Sequence, residues 1–316
     1  AGVGTSGGTV GGGIKENNFL GKGIQLDTNL QFSANSVKGK FVHVQPNFNY
    51  TDNTLFTSVS STSTDNLADF GYKTDNIGFS LGTSFEQYEN LYFSPSIDTS
   101  YEKLKTTSKA SAVKKKQNGD YFDMYFNYSL DYDQRNKKYQ PDEGYRNIFY
   151  QELPLLSESY EIMNAYETSR YQKISNIVTK VSFYGKAINS LSDNDVRISK
   201  RLYIPESKLR GFEKGKVGPI DNNDFVGGNY ISTVNFNAAF PEILPSFQNT
   251  DFSFFIDAGN VWGVDYNSSI DKDNKIRSAT GVALNVFTPI GPLSFSLSQP
   301  ITKNSTDKTE TFRFNL

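Results

Sequence analysis

Apolar and polar residues alternate along most of this chain with a period of two, the pattern of strands whose two faces meet different surroundings. From 24 to 32, Ile24, Leu26, Leu30 and Phe32 share one face and Gln25, Asp27, Asn29 and Gln31 the other. Between 122 and 132, Phe122, Met124, Phe126, Tyr128, Leu130 and Tyr132 alternate with Asp123, Tyr125, Asn127, Ser129 and Asp131. Phe252, Phe254 and Ile256 alternate with Ser253, Phe255 and Asp257, and Leu293, Phe295 and Leu297 with Ser294, Ser296 and Ser298. The runs last about 9 to 14 residues, as a tilted membrane-crossing strand requires, whereas strands of soluble sheets average about 5 to 6. The second face is often charged, which a water-filled lumen tolerates.

Turn signals divide the runs at Asn17-Asn18, Lys38-Gly39, Asp52-Asn53, Asn118-Gly119, Pro141-Asp142-Glu143-Gly144 and Pro289-Ile290-Gly291-Pro292. They predict an all-β, antiparallel transmembrane barrel of about sixteen strands, an even count as single-chain bacterial barrels have. Longer polar connections are expected at 106–119, 208–225 and 263–275. Residues 1–316 read as one barrel domain, with no linker inside it.

Composition narrows this picture. Aromatic residues make up 14% of the 316 and suit pleated, half-buried surfaces. No apolar run is long enough for a membrane-spanning helix. A net charge of -2 gives no basic surface for nucleic acid. The absence of cysteine excludes disulfides and zinc-thiolate sites.

Several constellations have ordinary explanations. Gly2-Val3-Gly4-Thr5-Ser6-Gly7 matches a dinucleotide fingerprint literally, but Gly8-Thr9-Val10-Gly11-Gly12-Gly13 follows where a helix is needed. His43 is the single histidine, so neither a triad nor a histidine metal cluster is expected, only a half-buried or lumen-facing imidazole. Lys114-Lys115-Lys116 reads as a solvated loop, or as a contact for anionic headgroups. Asp271-Lys272-Asp273-Asn274 lacks the glycine and distal glutamate of a calcium loop. No cofactor and no metal are expected. Trp262 and many tyrosines fall near strand ends, where an interfacial girdle or sheet packing would put them.

One constellation stands out. Leu209-Arg210-Gly211-Phe212 lies in the long connection at 208–225, and Phe255-Ile256-Asp257-Ala258-Gly259 follows on a strand. Alternation puts Asp257 on the polar face with Ser253. A connection folded into the lumen could pair Arg210 with Asp257 bidentately; a surface loop with a solvated arginine is the other reading.

At these residues the chain resembles the BamA-type superfamily of outer-membrane assembly factors and two-partner-secretion transporters. Leu209-Arg210-Gly211-Phe212 is similar to its loop-six motif, and Phe255 to Gly259 to its Phe-x-Asp-x-Gly strand motif. Asn18-Phe19-Leu20-Gly21-Lys22-Gly23 resembles the first hairpin turn and Gly227-Gly228-Asn229 the strand start after loop six. Arg277 to Leu284, then Pro289-Ile290-Gly291-Pro292-Leu293 and Gln299-Pro300, resemble the closing strands. The resemblance implies that Arg210 reaches into the lumen to Asp257. Val234-Asn235-Phe236 stands where the family often has a second acidic partner, so the loop is expected to depend mainly on Asp257. It also implies periplasmic POTRA domains before the barrel and a longer closing strand than Thr311-Phe312-Arg313-Phe314-Asn315-Leu316; a piece of a longer chain is expected.

The function so implied is strand templating rather than bond chemistry. A glycine-rich first segment at 2–14, with Gly11, Gly12 and Gly13, and a short closing segment at 309–316, with Phe312, Phe314 and Asn315, would form a weak seam. Such a lateral gate would present a free edge to incoming strands. The partners implied are unfolded outer-membrane proteins, outer-membrane lipids, and periplasmic accessory lipoproteins reached through the POTRA domains. A polypeptide-secretion pore and a plain diffusion porin are the alternatives.

Overall fold

The computed structural model describes residues 2–4, 7–240, 250–271, 274–288 and 291–315. The wall opens with β1 (Gly2–Gly4), β2 (Gly7–Phe19), β3 (Ile24–Ser33), β4 (Ser36–Gln45), β5 (Thr54–Asn66) and β6 (Tyr72–Tyr88). It continues through β7 (Leu91–Thr106), β8 (Gly119–Asp133), β9 (Gly144–Leu156), β10 (Glu161–Ile174) and β11 (Ile177–Ser190). A small ribbon of β12 (Ile220–Asp221) and β13 (Asp224–Phe225) lies in the next connection. The wall resumes with β14 (Tyr230–Phe240), β15 (Thr250–Trp262), β16 (Arg277–Thr288), β17 (Gly291–Thr302) and β18 (Phe312–Asn315). All but the ribbon, sixteen strands among the described residues, form one closed antiparallel barrel in which β1 returns to β18.

Alternation explains the wall. Leu81, Ile97 and Phe126 stand in one cross-strand row, and Leu81 and Ile97 are exposed on the outside, where lipid accepts apolar side chains. The adjoining inward positions are polar: Ser80 Oγ donates to Asp98 Oδ1 at 2.5 Å and Asn127 Nδ2 to Asp98 Oδ2 at 2.6 Å. These inward groups thus find partners across the wall, which limits the desolvation cost of the bonded atoms.

Two predicted boundaries are corrected. Lys38-Gly39 is not a turn; both residues lie within β4, where Gly39 faces Leu30 and a Cβ there would stand 3.2 Å from Leu30 Cδ2. The glycine makes room for a neighbour. The turn instead falls between Ser33 and Ser36. Residues 2–14 are likewise not one strand: Gly4 pairs with Gly7 across a hairpin that links β1 to β2. Gly7 has φ +111°, a backbone region that favours glycine. His43 pairs with outward-facing Leu26 and shares its face, so it does not line the lumen.

The apolar core is inside the barrel. Val196, Leu202, Ile204, Leu209, Phe212 and Val217, all from the connection after β11, pack on Ile188, Ile231, Val261 and Ala279 of the wall. That packing is one-sided. Strand β2 is almost entirely exposed and β3 is exposed over its second half, so the lumen beside the β1–β18 junction is left open to solvent.

Candidate functional site

The connection between β11 and β14 runs over 191–229, longer than its sequence reading of 208–225, and folds back into the barrel. One of its buried turns is 209–212. Gly211 has φ +87°, and a Cβ there would meet Ala279 Cβ at 2.9 Å and Ser298 Cβ at 3.3 Å. A glycine therefore lets the turn lie flush on β16 and β17. The turn aims Arg210 at β15. Its Nε donates to Asp257 Oδ2 at 2.7 Å, its Nη2 to Oδ1 at 2.8 Å, and its backbone N–H to Oδ2 at 3.0 Å.

Asp257 is 0% exposed and also accepts from Asn235 Nδ2 at 2.8 Å. Asn235 donates to the Lys208 carbonyl as well, at 2.7 Å, so this neutral residue bridges carboxylate and loop. The Arg210 guanidinium lies 3.5 Å from the centre of the buried Phe255 ring. Gly259 faces Thr233, where a Cβ would stand 2.9 Å from Thr233 Cγ2. A buried carboxylate with a forked cation and two further donors is held in one orientation.

Arg210 is one of several anchors. Arg197, only 2% exposed, donates from Nη2 to Asp123 Oδ2 at 2.7 Å and from Nη1 to Glu102 Oε1 at 3.3 Å, with Glu161 Oε2 at 3.8 Å. Tyr121 covers it at 4.1 Å. Arg201 pairs with Asp265, which accepts from the Val196 N–H at 2.8 Å and from Asn229 Nδ2 at 3.1 Å. Burial alone would raise the Asp265 carboxyl pKa, but Arg201 and these two donors hold it below the usual range. Lys114 is not solvated: it is 1% exposed and reaches Asp224 of the ribbon. Sequence reasoning missed these anchors. Their one readable sign is a basic connection opposite inward-facing carboxylates, as at Asp123.

Of the residues expected at the seam, Asn315 lies there and the glycine run does not. Gly11, Gly12 and Gly13 pair with Gln31, Leu30 and Asn29 of β3, not with the closing strand. The seam consists instead of Gly4 opposite Asn315, its only register pair among the described residues. On its other side β18 pairs with β17 over four residues, 312–315. Phe312 and Phe314 face outward, and Phe314 stacks on Phe295 with ring centres 5.0 Å apart. Residues 272 and 273 of the acidic run and 289–290 of the last turn lie outside the described residues.

An inward-folded loop pinned through an arginine to a wall aspartate, in a barrel with one weak junction, invites comparison with known proteins. The Omp85 superfamily domain matches residues 18–316. The chain belongs to the Omp85 superfamily. Like the other barrels of this superfamily it resembles, it is an integral protein of the bacterial outer membrane. It is 23% identical over 317 residues to the outer membrane protein assembly factor BamA of Nitratidesulfovibrio vulgaris, covering 96% of this chain and 39% of that protein. It is 28% identical over 137 residues to BamA of Neisseria meningitidis serogroup B, covering 34% of this chain and 17% of that one. The chain thus spans well under half the length of these relatives. Among solved structures, BamA from Haemophilus ducreyi lacking POTRA domains 1–3 superposes with a TM-score of 0.90 at 24% identity, covering 100% of this chain and 68% of that one. CdiB from Acinetobacter baumannii gives 0.63 at 12% identity, over 100% of this chain and 58% of that one. At these identities the superpositions speak for the fold, and the Omp85 barrel here has the proportions of BamA more than of CdiB.

Proposed function

We propose that this Omp85 barrel folds and inserts nascent outer-membrane proteins, and that the β1–β18 seam is the lateral gate through which it does so. One observation carries the reading: among the described residues a single register pair closes the barrel, whereas β10 and β11 share fourteen. Each backbone hydrogen bond adds a similar modest increment, so among the described residues the wall is weakest at that junction, ahead of its neighbours β1–β2 with three pairs and β17–β18 with four. Parting there exposes strand edges that an incoming strand can pair with, and apolar side chains leave directly into lipid. The lumen beside the seam is open and polar, while the loop fills the opposite side.

The substrates in this reading are unfolded outer-membrane proteins, with lipid as the receiving phase. Periplasmic accessory lipoproteins would engage POTRA domains preceding the barrel. Passage of a polypeptide along the side of the lumen that the loop fills, the secretion reading, would break the anchors at Arg197, Arg201 and Arg210 together, which favours the seam as the exit. To test the function, the full-length protein is reconstituted in lipid vesicles and given a urea-denatured outer-membrane barrel. Its folded fraction is read by heat-modifiability on gels. Faster folding than in empty vesicles is expected; equal rates contradict the reading.

A further inference from the structure

Arg313 is on the inward face of β18, opposite Ser296, and is 6% exposed. Its backbone pairs with β17, but its guanidinium bonds the loop and the segment just before β18. Its Nη2 donates to the Phe212 carbonyl at 2.6 Å and its Nη1 to the Glu206 carbonyl at 3.0 Å, both in the lumen loop. Its Nε donates to Glu310 Oε2 at 2.8 Å, which supplies the countercharge. The two carbonyls flank Arg210 in sequence. One arginine therefore ties the loop turn to β15, and a second ties the same turn to the strand at the seam.

The segment leading into β18 follows the loop too. Thr309 forms a backbone bridge with Phe212. The Glu310 N–H donates to the Gly211 carbonyl at 3.1 Å, the Glu213 N–H to the Lys308 carbonyl at 3.0 Å, and the Lys308 N–H to the Lys216 carbonyl at 3.1 Å. Against these stand, among the described residues, four register pairs with β17 and one with β1. The closing strand is thus positioned from inside the lumen as much as from the wall. A buried guanidinium that loses two carbonyl partners is left with unmet donors, so β18 cannot swing outward cheaply while the loop stays seated.

We propose that Arg313 is a positioning residue that couples the seam to the lumen loop: freeing the 209–212 turn from Asp257 loosens β18, and displacing β18 pulls on that turn. The inference deepens the lateral-gate reading and rests on it for its purpose, but the coupling is measurable without any substrate.

The test uses the full-length protein in its own outer membranes with a cysteine pair at the seam, Gly4→Cys with Asn315→Cys. The initial rate of disulfide formation under mild oxidation reports how often the seam is closed. It is measured in four backgrounds: otherwise unchanged, Arg210→Ala, Arg313→Gln, and both together. Each single substitution is expected to slow closure about tenfold, the scale set by losing hydrogen bonds to a charged group, and the double variant no further than the slower single. Arg313→Gln with an unchanged rate overturns the proposal, and so do effects that simply multiply, because uncoupled sites act independently. Heat-modifiability first establishes that each barrel is folded. If the Arg313→Gln protein is not folded, Arg313→Lys replaces it in the same cycle: the ammonium cannot fork across both carbonyls, so a smaller drop with the same non-additivity is expected, and additivity again overturns the coupling. Failure of the gate reading shows separately, as insertion that persists with the seam disulfide formed.

Discussion

Arg210→Ala is the substitution with the clearest physical consequence. It strips from Asp257 two guanidinium bonds, at 2.7 and 2.8 Å, and the cation over Phe255. The carboxylate stays fully buried, with Asn235 Nδ2 and the residue-210 N–H as its remaining donors. Breaking a buried pair from one side costs about 3–5 kcal/mol because a charge is left uncompensated. At about 1.4 kcal/mol per decade, the folded-to-unfolded ratio should fall by at least two orders of magnitude. Trp262, the chain's single tryptophan, lies at the end of β15 beside Tyr230 and can report unfolding. Urea titration in lipid vesicles, followed by its fluorescence, gives the loss. The companion Arg210→Ala/Asp257→Ala removes both charges and should be more stable than Arg210→Ala alone, with a coupling of about 1–3 kcal/mol in the double-mutant cycle. A single-variant loss below about 0.5 kcal/mol, or strictly additive losses, would refute the tether.

Three further outcomes follow from the same geometry. Arg197→Met leaves Glu102, Asp123 and Glu161 facing one another without a cation, so it should cost at least as much as Arg210→Ala, about 5 kcal/mol, or abolish assembly in a heat-modifiability assay. Gly211→Ala drives a methyl into Ala279 and Ser298 at a positive φ and should cost about 1–3 kcal/mol; trypsin cutting at Lys214 and Lys216 in folded protein is the readout. The depressed Asp265 carboxyl makes its contacts with Arg201, Val196 and Asn229 fully present above the ordinary aspartate pKa of about 3.9 and lost as pH falls through the lower folded value. Pepsin sensitivity of the loop should therefore step up below about pH 3.9 in the unchanged protein, while Asp265→Asn should be sensitive throughout and show a smaller step.

The barrel was legible because alternation is a local property, and each strand carries it without knowing its neighbours. The Arg210–Asp257 pairing was legible for two reasons: each residue sits in a short distinctive stretch, and alternation already set the face of Asp257. Arg197 has neither advantage. Its partners lie 95, 74 and 36 residues away on three strands, and only the closed wall brings them together. Lys114 shows the same limit, since a lysine run reads alike whether it meets water or Asp224, 110 residues on. The seam was legible at the level of its two segments, but the glycine run within the first was misplaced for a conformational reason: in a glycine-rich stretch every position permits a turn, so nothing in composition singles out the hairpin at Gly4 and Gly7. The correction sharpens the functional reading, because the glycine run belongs to β2 while the junction rests, among the described residues, on one pair.

That junction is where the account is most directly tested. Full-length protein carrying Gly4→Cys and Asn315→Cys is reconstituted in vesicles, oxidised to lock the seam, and supplied with an unfolded outer-membrane barrel. The account predicts that insertion stops in the oxidised protein and returns on reduction. Insertion that continues at the unlocked rate with the disulfide fully formed would contradict it.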